Sequence, residues 1–278
     1  MSDGFIVGEN CYKQKIMMNP QDFVGKGIVS KGIYDKTGLY FIEKILAQLQ
    51  GAVVFDVGAN IGNHALRMGV YASMVYLFEP QVQIVKHLQM TMNLNNISNW
   101  KICNYGLSDV EETLPLYQSP DGMNCTNSFV SDLKHNNYVL ETAQVFIGDK
   151  IVSDLALERL DFIKVDVEGF EAKVISGLQE TIAKYRPVIF MEWDKVITKQ
   201  QFEEGGFFDS VFANYLVKAV TRNPHELSLL KKIQGKIRRL FDKTASKKRM
   251  IIGEFQKQND YRHVVFVPEE KKHILDSL

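Results

Sequence analysis

The chain has 278 residues, a length that fits one large domain better than two small ones. Hydrophobic residues make up 45% and charged residues 24%, as in globular proteins, which excludes a disordered or fibrous chain. The formal net charge is zero, so the total charge gives no argument for a nucleic-acid or membrane partner.

The zero net charge is a cancellation between two parts of the chain. The segment Lys231–Arg249 contains nine basic residues and one acid, so it carries +8 and the remainder carries −8. One interpretation is a solvated helical face whose lysine stems lie along the surface. The other is a site for an anionic ligand, such as a phosphate or a nucleotide sugar, or for an anionic membrane surface.

The ends of the chain and the cysteines indicate a cytoplasmic protein, with contact to a membrane surface through the basic segment left open. No basic stretch followed by an apolar core is present at the start, so we expect no signal peptide. No apolar run approaches the roughly 18–20 residues that span a bilayer. The three cysteines are far apart and form no CxxC pair, which argues against a zinc cluster.

Apolar residues at helical spacing predict helices, and short runs of β-branched residues predict buried strands. In chain order, the first half predicts a helix at 37–50, a strand at 52–57, a helix at 63–72, a strand at 74–79, a helix after Pro80 and a strand at 100–105. The second half predicts strands at 113–118, 143–149 and 160–166, a helix to 178, a strand at 187–193, a helix near 198–204, one or two strands in 207–220, a helix at 224–243 and a strand at 262–268.

This alternation of strands and helices predicts an α/β fold with a mostly parallel sheet and helices on both faces. The last strands suit an antiparallel pair that completes the sheet. No linker divides the chain, so we expect a single domain over residues 1–278. Residues 1–50 would form an N-terminal extension with helices, and residues 51–278 a core with a basic helical insertion at about 224–250.

A glycine turn lies between the strand at 52–57 and the next helix, in the motif Asp56-Val-Gly-Ala-Asn-Ile-Gly-Asn63. Glycine allows a tight turn and a close approach of the backbone to a ligand. Glu79 follows Asp56 by 23 residues, at the end of the next strand, where a carboxylate can accept ribose hydroxyls. The spacing Gly-x-x-x-Gly differs from that of pyrophosphate binders. It favours a nucleoside cofactor such as S-adenosylmethionine, with Asp56 facing its cationic end, over a plain tight turn.

The motifs Val54–Gly62 and Ile163–Glu171 together resemble the FkbM family of S-adenosylmethionine-dependent methyltransferases. Further matches are Gly32–Asp35, Phe78–Pro80, Asn104–Asp109 and Pro187–Glu192. The resemblance runs from about residue 30 to 193. It implies a class I, Rossmann-like methyltransferase with a seven-stranded sheet that methylates hydroxyl groups of glycans or small molecules.

The resemblance also implies which residues bind the cofactor. It places Glu79 on the ribose and Gly106–Ser108 beside the adenine. The full set is Asp35, Asp56, Gly58, Asn60, Gly62, Asn63, Glu79, Gly106, Leu107 and Ser108. The family commonly has Glu where this chain has Asp35. The segment 224–250 has no clear counterpart in the family, so the acceptor does not follow from the resemblance.

Carboxylates gather at the ends of two predicted strands. Asp166, Glu168 and Glu171 follow the strand at 160–166, and Glu192 ends the strand at 187–193. Helix capping would explain Glu168 and Glu171 but not acids at two separate strand ends. Converging carboxylates raise one another's pKa, which suits a general base for a hydroxyl group. They also suit Mg²⁺, Mn²⁺ or Ca²⁺. Asp166, Glu168 and Glu192 are therefore the candidates for catalysis and for a divalent cation.

Three other functions compete with methylation of a small molecule or glycan. The first is an RNA methyltransferase that holds phosphates with the basic segment 231–249, although the chain has no aromatic-rich basic stripe. The second is a non-catalytic relative that binds a nucleoside or a partner. The third is a nicotinamide-dependent oxidoreductase, which the glycine spacing disfavours. The sequence leaves the oligomeric state open.

Overall fold

The structure is a computed structural model that describes residues 4–117, 127–131, 139–222 and 250–278. Before the central sheet lie β1 (Ile6–Glu9), β2 (Lys15–Met18), α1 (Phe23–Lys31) and α2 (Lys36–Leu46). The next part contains β3 (Ala52–Val57), α3 (Ala65–Tyr71), β4 (Ala72–Phe78), α4 (Val82–Asn93), β5 (Trp100–Cys103), β6 (Gly106–Ser108), β7 (Glu112–Tyr117) and β8 (Val139–Ile147). The last part contains α5 (Gly148–Asp154), β9 (Phe162–Val165), α6 (Glu171–Ser176), α7 (Gln179–Tyr185), β10 (Val188–Trp193), α8 (Val196–Glu204), β11 (Tyr215–Arg222), β12 (Met250–Glu254), β13 (Tyr261–Pro268) and α9 (His273–Asp276).

The central sheet has eight strands in the order β12-β11-β13-β10-β9-β3-β4-β5. The five strands from β10 to β5 are parallel, whereas β13, β11 and β12 pair antiparallel with their neighbours. The predicted Rossmann-like α/β fold, with a mostly parallel sheet and a final antiparallel pair, is confirmed. The expected seven strands are corrected to eight, because β12 pairs with the otherwise open edge of β11.

The hydrophobic core occupies both faces of this sheet. Val54 and Phe190 lie in one cluster with the helices α1 to α4, while their chain neighbours Phe55 and Met191 lie in a second cluster with α5 to α8. Successive side chains of a strand point to opposite faces, so strands with apolar residues at nearly every position must be covered on both sides. This explains why the buried strands of the sequence carry no polar alternation.

Several elements differ from the sequence prediction. The hairpin of β1 and β2, the helix α1, and the helices α5 and α7 were not predicted, because each is short and has few apolar residues at regular spacing. Residues 207–214 form turns rather than a strand, and β11 begins only at Tyr215. The predicted helix at 224–243 and the basic segment Lys231–Arg249 lie outside the described residues.

A second, three-stranded sheet has the order β6-β8-β7 and lies next to the carboxyl edge of the central sheet. Among the described residues, no helix is both long enough and apolar enough to cross a bilayer.

The strand register places four predicted site residues along one edge of the central sheet. Val57, the last residue of β3, pairs with both Phe78 of β4 and Val165 of β9, and Val165 pairs with Met191 of β10. The residues that follow these positions, Gly58, Glu79, Asp166 and Glu192, therefore lie side by side at the carboxyl ends of parallel strands. Ligands of open α/β sheets bind at this edge.

Candidate functional site

A cavity of about 400 Å³ opens at the carboxyl edge of β3, β4, β9 and β10. The structure brings together most of the predicted site residues along its wall: Gly58, Asn60, Asn63, Glu79, Gly106, Leu107, Asp166, Glu168 and Glu192. Its size is within the usual range for a small-molecule site. We call Gly58, Asn60 and Glu79 the turn end of the cavity, and Asp166, Glu168 and Glu192 the carboxylate end.

The turn end begins with Gly58, which has a φ of +81°. A Cβ atom at this position would lie 1.9 Å from the carbonyl oxygen of Asp166, so only glycine fits between β3 and the end of β9. The N–H groups of Gly58 and Ala59 both donate to the carbonyl oxygen of Phe78, each at 3.0 Å. These bonds hold the turn against the end of β4.

Glu79 lies directly after β4 and is buried within the turn end. Its Oε2 accepts a hydrogen bond from the N–H of Asn60 at 3.0 Å, and its Oε1 accepts one from the N–H of Gln81 at 3.0 Å. Burial raises the pKa of Glu79 to about 7, although both N–H donors lower it. Each carboxylate oxygen keeps a further lone pair for a ligand that donates from the cavity.

Gly106 and Leu107 of β6 form a neighbouring wall, and Asn127 and Phe129 also line the cavity, with the ring of Phe129 next to Gly106. The amide of Asn127 donates to Oε1 of Gln81 at 2.8 Å, which ties this wall to the residues after Glu79.

Two of the predicted cofactor residues, Ser108 and Gly62, do not line the cavity. The side chain of Ser108 is fully buried, and its hydroxyl bonds to Asp109. Gly62 has a φ of +92°, and a Cβ atom there would lie 2.9 Å from Leu88 of α4. Gly62 therefore allows the turn to pack closely against α4.

Asp56 does not face the cavity, which corrects the prediction that it contacts the cationic end of the cofactor. Its side chain is fully buried, and Nζ of Lys164 lies 3.1 Å from its Oδ1. The same Nζ donates to the carbonyl oxygen of Gly58 at 3.1 Å and lies 3.5 Å from Oδ2 of Asp166. Lys164 thus joins the ends of β3 and β9. Its pKa is raised: burial would lower it, but Asp56 and Asp166 outweigh that effect.

Asp35 also lies outside the cavity lining, which corrects its predicted place among the cofactor residues. It is the N-cap of α2, where its Oδ1 accepts from the N–H of Gly38. Its Oδ2 lies 3.1 Å from Nε2 of His64 and 2.9 Å from Nε2 of His263, and its Oδ1 lies 3.3 Å from Nε of Arg262. Burial would raise the pKa of Asp35, but the two histidines hold it well below its usual range.

The carboxylate end holds three acids close together. Asp166, Glu168 and Glu192 each offer an oxygen, and these oxygens lie within 4.8 Å of one another. Two lysines balance part of this charge. Nζ of Lys195 lies 2.7 Å from Oε2 of Glu168 and 4.0 Å from Oε2 of Glu192. Nζ of Lys164 lies 3.5 Å from Oδ2 of Asp166.

The pKa values of these acids shift in opposite directions. Burial raises the pKa of Glu192 well above its usual value, and the charges of Asp166 and Glu168 raise it further. Burial would also raise the pKa of Asp166, but Lys164 lowers it overall, with help from His64 and His263. The site therefore combines a carboxyl group that loses its proton readily, Asp166, with one that holds its proton more tightly, Glu192. Two carboxyl groups whose pKa values are shifted apart are typical of acid–base sites.

Glu171 does not belong to this set, although it lies close in sequence. Its Oε1 accepts from the N–H groups of Val167 and Gly169, and its Oε2 accepts from the hydroxyl of Thr198. It is fully buried and satisfied by the start of its own helix and by α8. This agrees with the capping interpretation of Glu171.

Three basic residues of this site were not predicted from the sequence. Lys164 had a local signal, because it is the only charged residue within the strand Phe162–Val165. Lys195 follows Glu192 by three residues, a weaker signal of an ion pair. Arg262 had none: it lines the cavity only because β13 inserts beside β10 at a great distance along the chain.

Residues 56–218, more than half of the chain, match the family described as the methyltransferase FkbM domain. Hexuronic acid methyltransferase AglP of Haloferax volcanii is 30% identical over 138 residues, which cover 49% of this chain and 54% of AglP. Methyltransferase sdnD of Sordaria araneosa is 27% identical over 217 residues, which cover 61% of this chain and 83% of sdnD. The chain spans about half the length of AglP.

Among solved structures, a methyltransferase FkbM from Methylobacillus flagellatus is similar, with a TM-score of 0.47 and 15% sequence identity. The similarity covers 78% of this chain and 43% of that chain.

Proposed function

This chain belongs to the FkbM methyltransferase family, and from that premise we propose that it transfers a methyl group from S-adenosylmethionine to a hydroxyl oxygen of a glycan or small molecule. The observation that carries the proposal is the placement of the two ends of the cavity. The turn end, with Glu79, and the carboxylate end, with Asp166 and Glu192, line the same cavity of about 400 Å³.

The turn end fits the nucleoside part of the cofactor. Glu79 is buried, lines the cavity and uses only part of its capacity to accept hydrogen bonds on the N–H groups of Asn60 and Gln81. Two ribose hydroxyls can donate to its remaining lone pairs. Gly106, which has no side chain, and the aromatic ring of Phe129 line the same part of the cavity, and both suit a planar base. When bound, S-adenosylmethionine supplies an activated methyl group on a positively charged sulfur.

The carboxylate end fits a hydroxyl acceptor. A neutral alcohol is a weak nucleophile, so a group must take its proton as the oxygen attacks. Asp166 is ionised and faces the cavity, so we assign it as the proton acceptor. Glu192 has a buried Oε2 without a hydrogen-bond partner among the described residues, and we assign it to orient the acceptor oxygen. Glu168 pairs with Lys195 and thereby holds this ammonium group beside Glu192, 4.0 Å from its Oε2.

A divalent cation is the alternative partner of Asp166, Glu168 and Glu192. Their clustered oxygens favour it, whereas the ammonium group of Lys195, 2.7 Å from Glu168, already occupies part of the space. Methyl transfer that persists after dialysis against EDTA would assign the carboxylates to proton transfer. Transfer that is lost with EDTA and restored by Mg²⁺ or Mn²⁺ would assign them to a cation.

Two measurements test the proposal. The first is calorimetric titration with S-adenosylmethionine and with NAD, where we expect binding of the former only. The second is transfer of a labelled methyl group onto separate acceptors: glucuronic acid, nucleotide sugars, lipid extracts and RNA. Labelling of a glycan or small molecule is the expected result. Labelling of RNA alone, or no binding of S-adenosylmethionine, would contradict the proposal.

A further inference from the structure

A second cavity, of about 470 Å³, lies next to the first between α1, the start of α2 and β13. We call it the basic groove, because its wall carries four cationic side chains: Lys26, Lys31, Lys36 and Arg262. The lining contains a single acid, Asp35, whose carboxylate is buried and shared by two histidines and Arg262. The groove therefore has a positive potential.

The lysines of the groove have few internal partners. Lys31 and Lys36 are exposed and form no ion pair with any described residue. Lys26 lies one turn from Asp22, which caps the start of α1. The first turn of α2 also begins at Lys36, so the positive end of that helix adds to the potential. A concave surface with several unpaired cations is suited to an anion.

The basic groove borders the cavity of the proposed methyl transfer. Phe23, Tyr34 and Arg262 line both, and the guanidinium of Arg262 lies over the ring of Tyr34 at 5.1 Å from its centroid. On one side of this shared wall lie Asp166 and Glu192. A ligand that spans the wall therefore meets negative charge at one end and positive charge at the other.

We propose that the basic groove binds a phosphate group of the methyl acceptor, so that the acceptor is a phosphorylated glycan or small molecule. This inference rests on the proposed function. The groove would hold the phosphate while the carboxylate end repels it and receives the uncharged hydroxyl. Separate lysines on two helices can each meet a different phosphate oxygen, whereas a planar carboxylate is matched best by a single arginine fork.

Binding of inorganic pyrophosphate to the full chain tests the groove directly. We expect measurable, salt-sensitive binding that the double variant Lys31→Gln/Lys36→Gln weakens at least about tenfold, because two of the four cations that line the groove are lost. The matched control is Lys44→Gln/Lys101→Gln, two exposed lysines outside the groove, which we expect to bind as the unmodified protein does. No binding, or equal binding by both double variants, would overturn the proposal. Equally tight, groove-dependent binding of glucuronate would overturn the choice of phosphate.

Two further arms identify the source of the phosphate and separate the two proposals. UDP-glucose represents a nucleotide sugar, and vesicles that contain phosphatidic acid represent a lipid headgroup. Binding of either one that weakens in Lys31→Gln/Lys36→Gln supports the acceptor assignment, and binding of neither overturns it. Titration with S-adenosylmethionine is expected to be unchanged in this variant. If the chain binds pyrophosphate in the groove but does not bind S-adenosylmethionine, the proposed function is contradicted, whereas the anion site in the groove is still supported.

Discussion

The two ends of the cavity differ in how their carboxylates are held. At the turn end, Glu79 is a single acid fixed by two backbone N–H groups. At the carboxylate end, Asp166, Glu168 and Glu192 lie within hydrogen-bonding reach of a common point and are balanced by the side chains of Lys164 and Lys195. The backbone donors fix the position of Glu79, whereas charged side chains shift the pKa values of Asp166 and Glu192 in opposite directions. The turn end is therefore suited to binding and the carboxylate end to proton transfer.

Removal of the Asp166 carboxylate is expected to have the largest effect, because it should abolish function at the carboxylate end and leave the turn end intact. Asp166→Ala should lower methyl transfer by roughly 10²–10⁴-fold, the usual contribution of a general base. Its affinity for S-adenosylhomocysteine, which lacks the sulfonium charge, should stay the same, because the turn end is intact. The control is Asp209→Ala, an exposed acid far along the chain from this edge. If Asp166→Ala keeps full turnover and His64→Gln loses it, the proton acceptor is the imidazole of His64, whose Nε2 lies 3.1 Å from Oδ2 of Asp35.

Loss of the buried ammonium group of Lys164 is expected to affect both ends of the cavity, because it contacts the carbonyl oxygen of Gly58 and the carboxylate of Asp166. Lys164→Met leaves Asp56 buried without its partner, which should lower the free energy of unfolding by about 3–5 kcal/mol. Urea unfolding measures this, with Lys101→Met on an exposed position of β5 as the control. The double variant Asp56→Asn/Lys164→Met should regain part of the loss. If the single variant is as stable as the control, Lys164 is not the link between β3 and β9.

Substitution at the turn end should affect binding and spare proton transfer. Glu79→Ala should weaken adenosine binding by about 10- to 100-fold, because hydrogen bonds to a charged group contribute about 1.5–3 kcal/mol. The unmodified protein should prefer adenosine to 2′,3′-dideoxyadenosine, and Glu79→Ala should lose that preference. Exposed Glu112→Ala is the control. A preserved preference in Glu79→Ala would show that Glu79 does not meet the ribose.

The smallest expected effect is the pH dependence of adenosine binding at the turn end. Because the pKa of Glu79 is about 7, adenosine affinity should fall about tenfold for each pH unit below that value, as the carboxylate becomes protonated. The free energy of unfolding should instead increase as the pH falls. The folded state holds the proton of Glu79 more tightly than the unfolded state does, so protonated Glu79 contributes its full stabilisation below the unfolded pKa. This stabilisation is lost as the pH rises through about 7. Glu79→Gln should remove both dependences. A pH-independent affinity in the unmodified protein would contradict the assignment.

The edge of the sheet was predicted correctly from the rule that residues directly after buried parallel strands lie at one edge, because this rule depends only on local sequence patterns. The buried strands are continuous apolar runs, so the residues that follow them, such as Gly58, Glu79 and Asp166, could be placed at one edge without coordinates. The assignments of Asp56 and Asp35 failed for a different reason. Each position was near the edge, but the side chain is held by a polar partner from another element, Lys164 for Asp56 and His263 for Asp35.

Hydrophobic periodicity and the steric limits at glycine act within a few residues of the chain, so the α/β architecture, the glycine turn and the two sets of acids could be predicted from the sequence. The opposite pKa shifts of Asp166 and Glu192, the burial of Lys164 and the basic groove beside Arg262 could not. These depend on the distance between charges and on their exclusion from water, and the residues concerned meet only when β3, β9, β10 and β13 pair in one sheet.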